Sequence, residues 1–127
     1  MDDNIEYTDE GLPCFKNIDF VPDNFTGKCY FTMNGYTCYI VNGNLHNEDG
    51  PAATLDNGQK EWYVNNELHR VGGPAKEYAH GKFYYLYGIR YSVENYWKHP
   101  LLIEYQLNRI LELWMKIDDK SNIIETI

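Results

Sequence analysis

No stretch of this sequence approaches the roughly 18 consecutive apolar residues that a membrane-spanning helix needs, so no span is expected. The chain starts on acids (Asp2, Asp3) where a secretory signal needs a basic start and an apolar run. A soluble, cytoplasmic protein is the expectation. Basic residues are scarce as well, 11 Lys and Arg against 19 Asp and Glu, and they form no cluster. Without such a cluster to neutralise phosphates, direct nucleic-acid binding is disfavoured. Cysteine is limited to three, an odd number without metal-ligand spacing, which argues against a disulfide scaffold. Cys29 and Cys38 flank Asn34-Gly35. A two-residue turn there sets Cys38 opposite Phe31 and makes Cys29 a diagonal neighbour. Diagonal Cα atoms lie about 7–8 Å apart, beyond disulfide reach, so free, packed thiols are expected. No Ser-His-Asp set is suggested by local motifs, no glycine-rich loop leads into a helix with a lysine, and no base stands beside a thiol. The sequence therefore nominates no catalytic residue and no cofactor.

The charge that is present is uneven. Residues 1–26 carry seven acids and one base, a balance of −6, and the remaining residues a balance of −2, which together give the −8 of the whole chain. Segment 1–26 is read as an acidic lead-in, irregular or with one short strand, since Leu12-Pro13 and Val21-Pro22 disfavour helix. Its Ile5, Tyr7, Phe15, Ile18, Phe20 and Phe25 are enough to pin parts of it to the body. Two roles suit it: a solvated segment, or an arm whose Asp2, Asp3, Glu6, Asp9 and Glu10 dock on a basic partner.

An internal repeat organises the middle. Asn42-Gly43-x-Leu45-His46-x-x-x-Gly50-Pro51-Ala52 returns 23 residues later as Asn65-Asn66-x-Leu68-His69-x-x-x-Gly73-Pro74-Ala75. Gly35, Gly58 and Gly81 keep the same spacing, as do Gly27, Gly50 and Gly73. Repetition of this length sets architecture, and it predicts three hairpin units over residues 27–91. Each unit has a strand (28–33, 52–56, 75–79), a turn at the central glycine, and an aromatic return strand (36–41, 59–64, 82–87). A second turn and a short strand follow. Asn-Gly at the central turn suggests type I′, which needs positive φ at both central residues. Gly50-Pro51 and Gly73-Pro74 punctuate the crossings between units. Both faces of the return strands carry large groups. Either the sheet curls on itself, or the C-terminal helix and the N-terminal segment cover the second face.

The third unit has Arg90-Tyr91 where the others have Leu-His, after a one-residue shortening, and then turns helical. Ser92 reads as an N-cap with Glu94 in the first turn. Pro100 ends that helix near Lys98 or starts a new one at its first position. Ile103, Leu107, Ile110, Trp114 and Ile117 then step by 4, 3, 4 and 3 along one stripe, with Leu111 beside it. The stripe is expected to lie buried on the sheet. The same steps suit a paired helix, so a homodimer through helix 101–117 is the alternative. Helix is expected to stop around Asp118–Asn122, and residues 123–127 to fray or add a short strand. The overall expectation is one α+β domain, mostly antiparallel β: an acidic segment (1–26), a meander of three hairpin repeats (27–91) and one or two C-terminal helices (92–122).

The phrases LHNEDGPA, NGQKEWYVNNELHRVGGPA and GKFYYLYGIRYSVENYWK resemble a repeat of uncharacterised proteins in large bacteriophages and some giant viruses, of the form Asn-Gly-x-x-His-Arg-x-Asp-Gly-Pro-Ala. It is loosely similar to the membrane occupation and recognition nexus repeat. The likeness covers roughly residues 27–98. This chain departs from the pattern at Asn47 (usually Arg), Asn66 (Gly) and Gly72 (Asp), and its first unit lacks Pro-Ala. The resemblance implies a viral origin and a binding role, and no reaction or cofactor.

His46 and His69 recur beside carboxylates and are the candidate metal ligands. Tyr91 in the third unit breaks the series, so the better reading is that each imidazole holds a turn by bonding backbone groups of the Gly-Pro-Ala loop. Tyrosine is abundant, 12 residues, and is favoured at protein interfaces. Tyr63, Tyr84 and Trp114 join the acidic residues as candidate partner contacts. Gly35, Gly50, Pro51, Gly58, Gly73, Pro74 and Gly81 are read as structural. The reading is a protein-binding module, a small virus-encoded binder or inhibitor of a host protein. A self-assembling viral component, or a small histidine-dependent metal protein or enzyme, are the alternatives.

Overall fold

A computed structural model describes residues 5–125, with side chains described through residue 118. The fold is α+β: a mostly antiparallel sheet followed by a helical C-terminal region. The strands are β1 (Glu6–Tyr7), β2 (Pro13–Phe15), β3 (Gly27–Phe31), β4 (Tyr36–Val41), β5 (Asn44–Leu45), β6 (Ala53–Leu55), β7 (Lys60–Glu61), β8 (Tyr63–Val64), β9 (Glu67–Leu68), β10 (Lys76–Tyr78), β11 (Gly81–Leu86) and β12 (Ile89–Tyr91). Ten of them form one sheet in the order β1-β2-β3-β4-β6-β7-β10-β11-β12, with β5 paired to β4, and β8–β9 form a separate hairpin. Helices α1 (Val93–Lys98) and α2 (Pro100–Glu125) complete the chain.

The hairpins β3–β4, β6–β7 and β10–β11 fall where the sequence period sets them. Their turn chemistry differs from expectation. The loops at the central glycines shorten from four residues, between Phe31 and Tyr36, to two, between Tyr78 and Gly81. Gly35 and Gly58 have positive φ (74° and 91°), but the asparagines before them do not. The paired positive φ of a type I′ turn sits instead in the second turn: Asn42-Gly43 (47°, 78°), Asn65-Asn66 (49°, 66°) and Tyr87-Gly88 (47°, 80°). Asn tolerates this region far better than most residues, which explains how Asn66 stands in for glycine. Its side chain then joins neighbouring units, accepting from Leu45 N–H at 2.6 Å and donating to Asn44 at 2.9 Å. The four-residue loop also shifts the first hairpin by two residues, so Cys29 lies directly opposite Cys38 instead of diagonally. Both are fully buried thiols, and burial pushes Cys29 up to about 11.

Pairing register decides the faces. Cys38, Ala53, Glu61, Lys76 and Phe83 form one cross-strand row, and side chains alternate along each strand. One face is covered at the first hairpins by the N-terminal segment. Phe15 and Val21 join Cys29, Phe31, Cys38, Ile40 and Ala53 in a core, with Ile18 and Phe25 packed on it. The segment expected to be largely irregular thus contributes two strands and a 3₁₀ turn (Ile18–Phe20), and β2 runs parallel to β3. At the other end of the sheet Tyr84 and Leu86, of opposite parity to Phe83, face the other way. There they pack with Tyr96 of α1 and Leu102 of α2. The sheet therefore carries two cores, one on each face.

Tyr96 is the hinge-pin of the second core. Fully buried, its hydroxyl accepts from Gly72 N–H (3.0 Å) and Gly73 N–H (3.2 Å) and donates its one proton between the carbonyls of Arg70 (2.5 Å) and Gly73 (2.9 Å). Gly72 has φ +102°, and a Cβ there would meet the Tyr105 ring at 2.6 Å. That close approach is why glycine stands where the first unit has Asp49.

Candidate functional site

The two histidines sit in equivalent places, each 23 residues apart from the other in sequence. His46 Nδ1 accepts from Asn65 N–H at 3.1 Å, and His69 Nδ1 accepts from Tyr87 N–H at 2.9 Å. Each imidazole thus holds the type I′ turn of the following unit, and not its own Gly-Pro-Ala loop as expected. The loop is gripped by the next residue along. Asn47 donates to Pro51 O at 3.1 Å, and Arg70 donates to Pro74 O at 3.0 Å while its guanidinium stacks on Trp62 at 3.9 Å. Asn47 thus grips its loop carbonyl as Arg70 does, without the ring contact that Arg70 adds. Ala52 and Ala75, which follow the prolines, are fully buried. Among the described residues no group of three or more His, Cys, Asp and Glu is arranged to hold a metal. Burial lowers His69 below the ordinary histidine range, against the opposing pull of Glu67.

The candidate contact residues scatter. Glu6, Asp9 and Glu10 are exposed around the edge strand β1; Asp2 and Asp3 lie outside the described residues. Tyr63 is half-buried against the first core, and Tyr84 is half-buried with its ring 4.7 Å from that of Tyr96. Both are engaged internally. Trp114 is 66% exposed on α2.

Around Trp114 the helix departs most from expectation. The stripe Ile103, Leu107, Ile110, Trp114 and Ile117 is not buried on the sheet: all five are exposed, with Leu111, Leu113 and Met115 beside them. The reason is rotational. Residues of an α-helix advance by about 100° each, and the side chains that dock α2 are Leu101, Leu102 and Tyr105, on the side opposite the stripe. Pro100 sets that orientation. It starts α2 directly after His99 caps α1, and α1 already covers Leu86. The helix also runs on through Glu125, past the expected stop at Asp118–Asn122 and through residues 123–125 where a strand was the alternative.

A second feature was hidden in the strand pattern. Glu61 is buried, 4% exposed, in the row between Ala53 and Lys76. Its carboxylate accepts from three phenols: Tyr63 at 2.8 Å on Oε1, and Tyr36 at 3.2 Å and Tyr78 at 2.5 Å on Oε2. Burial, followed by the charge and hydrogen bond of Glu61, raises Tyr36 to about 12. Burial and the same carboxylate raise Tyr63 and Tyr78 further. The sequence shows that Glu61 and Tyr63 share a face. It does not show Tyr36 and Tyr78 arriving from neighbouring hairpins. Beside the carboxylate lies a cavity of about 190 Å³ between the sheet and the 3₁₀ turn.

No protein-family model, no curated protein and no solved structure matches this chain.

Proposed function

We propose that the protein is a non-enzymatic binding module that docks on a partner protein through the apolar face of α2. The observation that carries this reading is the eight large apolar side chains exposed between Ile103 and Ile117. Six of them, Ile103, Leu107, Ile110, Leu111, Trp114 and Ile117, run along one side of the helix over about four turns, and a contiguous exposed apolar strip of that kind marks an interaction surface. The body seals its two cores without this face, so its apolar character serves no internal packing. An apolar groove or helix on the partner is the complementary surface. The exposed carboxylates Glu6, Asp9 and Glu10 add a site for a basic rim on that partner. The resemblance of the repeat to phage and giant-virus proteins supports a virus-encoded binder or inhibitor acting on a host protein in the host cytoplasm.

The test is the variant Leu107→Ser/Ile110→Ser/Trp114→Ser, compared with wild type in affinity capture and then with the purified partner. Capture of a specific protein is expected to be lost, while the unfolding midpoint stays nearly unchanged because exposed substitutions typically shift stability by only about 0.5 kcal/mol. A partner held equally by the variant overturns the reading. One observation favours a second reading: the 4, 3, 4, 3 steps are those of a coiled-coil seam. A concentration-dependent dimer in light scattering, abolished by the same three substitutions, would assign the face to a second copy and make self-assembly the function.

A further inference from the structure

We propose that the cavity beside Glu61 is a binding site for a primary alkylammonium group, supplied by a free amine or by a lysine side chain of a protein. The inference is independent of the role given to α2.

Charge comes first. The Glu61 carboxylate is satisfied in hydrogen bonds but not neutralised: among the described residues no Lys, Arg or His nitrogen lies within 4.0 Å of it. A buried charge is costly unless paired. The cross-strand neighbour of Glu61 is Lys76. The Lys76 ammonium lies 5.8 Å from the ring centres of both Tyr78 and Tyr85, and Lys76 does not line the cavity.

Around the carboxylate the polarity leans to acceptors; the amides of Asn17, which donates to Met33 Sδ, and Asn34 complete the polar lining. Tyr36, Tyr63 and Tyr78 each spend their single O–H on the carboxylate, so their oxygens are left as acceptors. Oε1 receives one phenol where Oε2 receives two. An ammonium has three donors and no acceptor, which matches a cluster of acceptors. An anion would meet no free phenol donor there.

Shape agrees. Phe31, Tyr36 and Tyr63 line the cavity with Ile18 and Leu45, aromatic and aliphatic walls suited to a cation on an alkyl arm. Its 190 Å³ holds roughly six water-sized groups at about 30 Å³ each.

The acid is also not what the hairpin requires. Counted back three residues from Val41, Val64 and Leu86, which precede the positive-φ turns, the equivalents of Glu61 are Cys38 and Phe83. Neighbouring hairpins place a thiol and a ring there.

The experiment is an NMR titration of the full chain with n-butylammonium, n-butanol and a lysine-containing peptide. Saturable shifts at the amides of Tyr36, Cys38, Glu61 and Tyr63 are expected with butylammonium, and affinity at least tenfold weaker with butanol. Glu61→Gln keeps the acceptor oxygen and should lose at least tenfold in butylammonium affinity. Should that variant not fold, Leu45→Trp, which adds bulk to the cavity lining, should abolish the shifts. Lys76→Met should leave binding intact. Stronger binding of the peptide than of butylammonium assigns the site to a protein lysine, and the reverse order assigns it to a free amine. The proposal is overturned by an absence of saturable shifts, by equal response to butanol, or by butylammonium binding that emerges only in Lys76→Met, which would make Lys76 the carboxylate's own partner.

Discussion

Tyr96 concentrates the joint between sheet and helices in one oxygen. Replacing it with phenylalanine keeps the ring in place but removes the acceptor from two backbone N–H groups, a half-buried one at Gly72 and a buried one at Gly73. Each orphaned donor costs about 1–3 kcal/mol. Tyr96→Phe should therefore lower unfolding free energy by roughly 2–6 kcal/mol, read by denaturant titration. His69 adds a pH dependence at the same scale. Its imidazole must stay neutral at Nδ1 to accept from Tyr87 N–H, and burial holds its folded pKa below the ordinary value of 6.5. The unfolded chain then binds the proton more readily. The stabilisation is present above about pH 6.5 and is lost as pH falls from there through the folded value. Thermal melts should show a lower midpoint at pH 5.5 than at 7.5. His69→Asn, which retains an acceptor near the same point and cannot titrate, should flatten that difference; an unchanged slope would count against it.

Elements tell how much was legible. The hairpins followed from Asn, Gly and alternating aromatics, because turn chemistry and strand period are local. Which turn was type I′ did not follow, since Asn34-Gly35 and Asn42-Gly43 read alike. Loop length, not residue type, separates them: four residues leave Asn34 free of positive φ, whereas two oblige it at Asn42. The helix stripe was legible as a stripe, yet its destination was not. Periodicity says which side chains share a face of α2, but the face that meets the body is set by Leu101, Leu102 and Tyr105, which follow directly on Pro100. The Glu61 cluster was illegible for a related reason. Its phenols come from positions 36, 63 and 78, on three different hairpins whose mutual register local sequence does not set.

At the scale of the molecule, the two cores sit on opposite faces, and the polar cluster of Glu61 with its phenols lies in the middle of the sheet. Ionising those phenols would set negative charge against the buried carboxylate. Tyr36 has a folded pKa of about 12, raised by burial and by Glu61, against an ordinary value of 10.0, and Tyr63 and Tyr78 are raised in the same sense. An acid raised on folding stabilises below its unfolded pKa, so this contribution is intact up to about pH 10 and drains away as pH climbs through about 12. Tyrosinate absorbance during alkaline titration should therefore show Tyr36, Tyr63 and Tyr78 ionising only with cooperative unfolding. Smooth, independent titration of all 12 tyrosines would show that the cluster is open to water.

The histidine that reaches forward to the next turn gives the array a direction. His46 holds the turn at Asn65, His69 holds the turn at Tyr87, and in the third place Tyr91 meets no following turn but lies edge-on to His99 between the two helices, 5.6 Å between rings. Each unit thus carries the fitting for its successor, and the last carries a stopper. A protein assembled in this way can change length by whole units of 23 residues without redesigning either end. Gain or loss of a middle unit would move the N-terminal segment and the exposed helix apart or together like the jaws of an adjustable gauge.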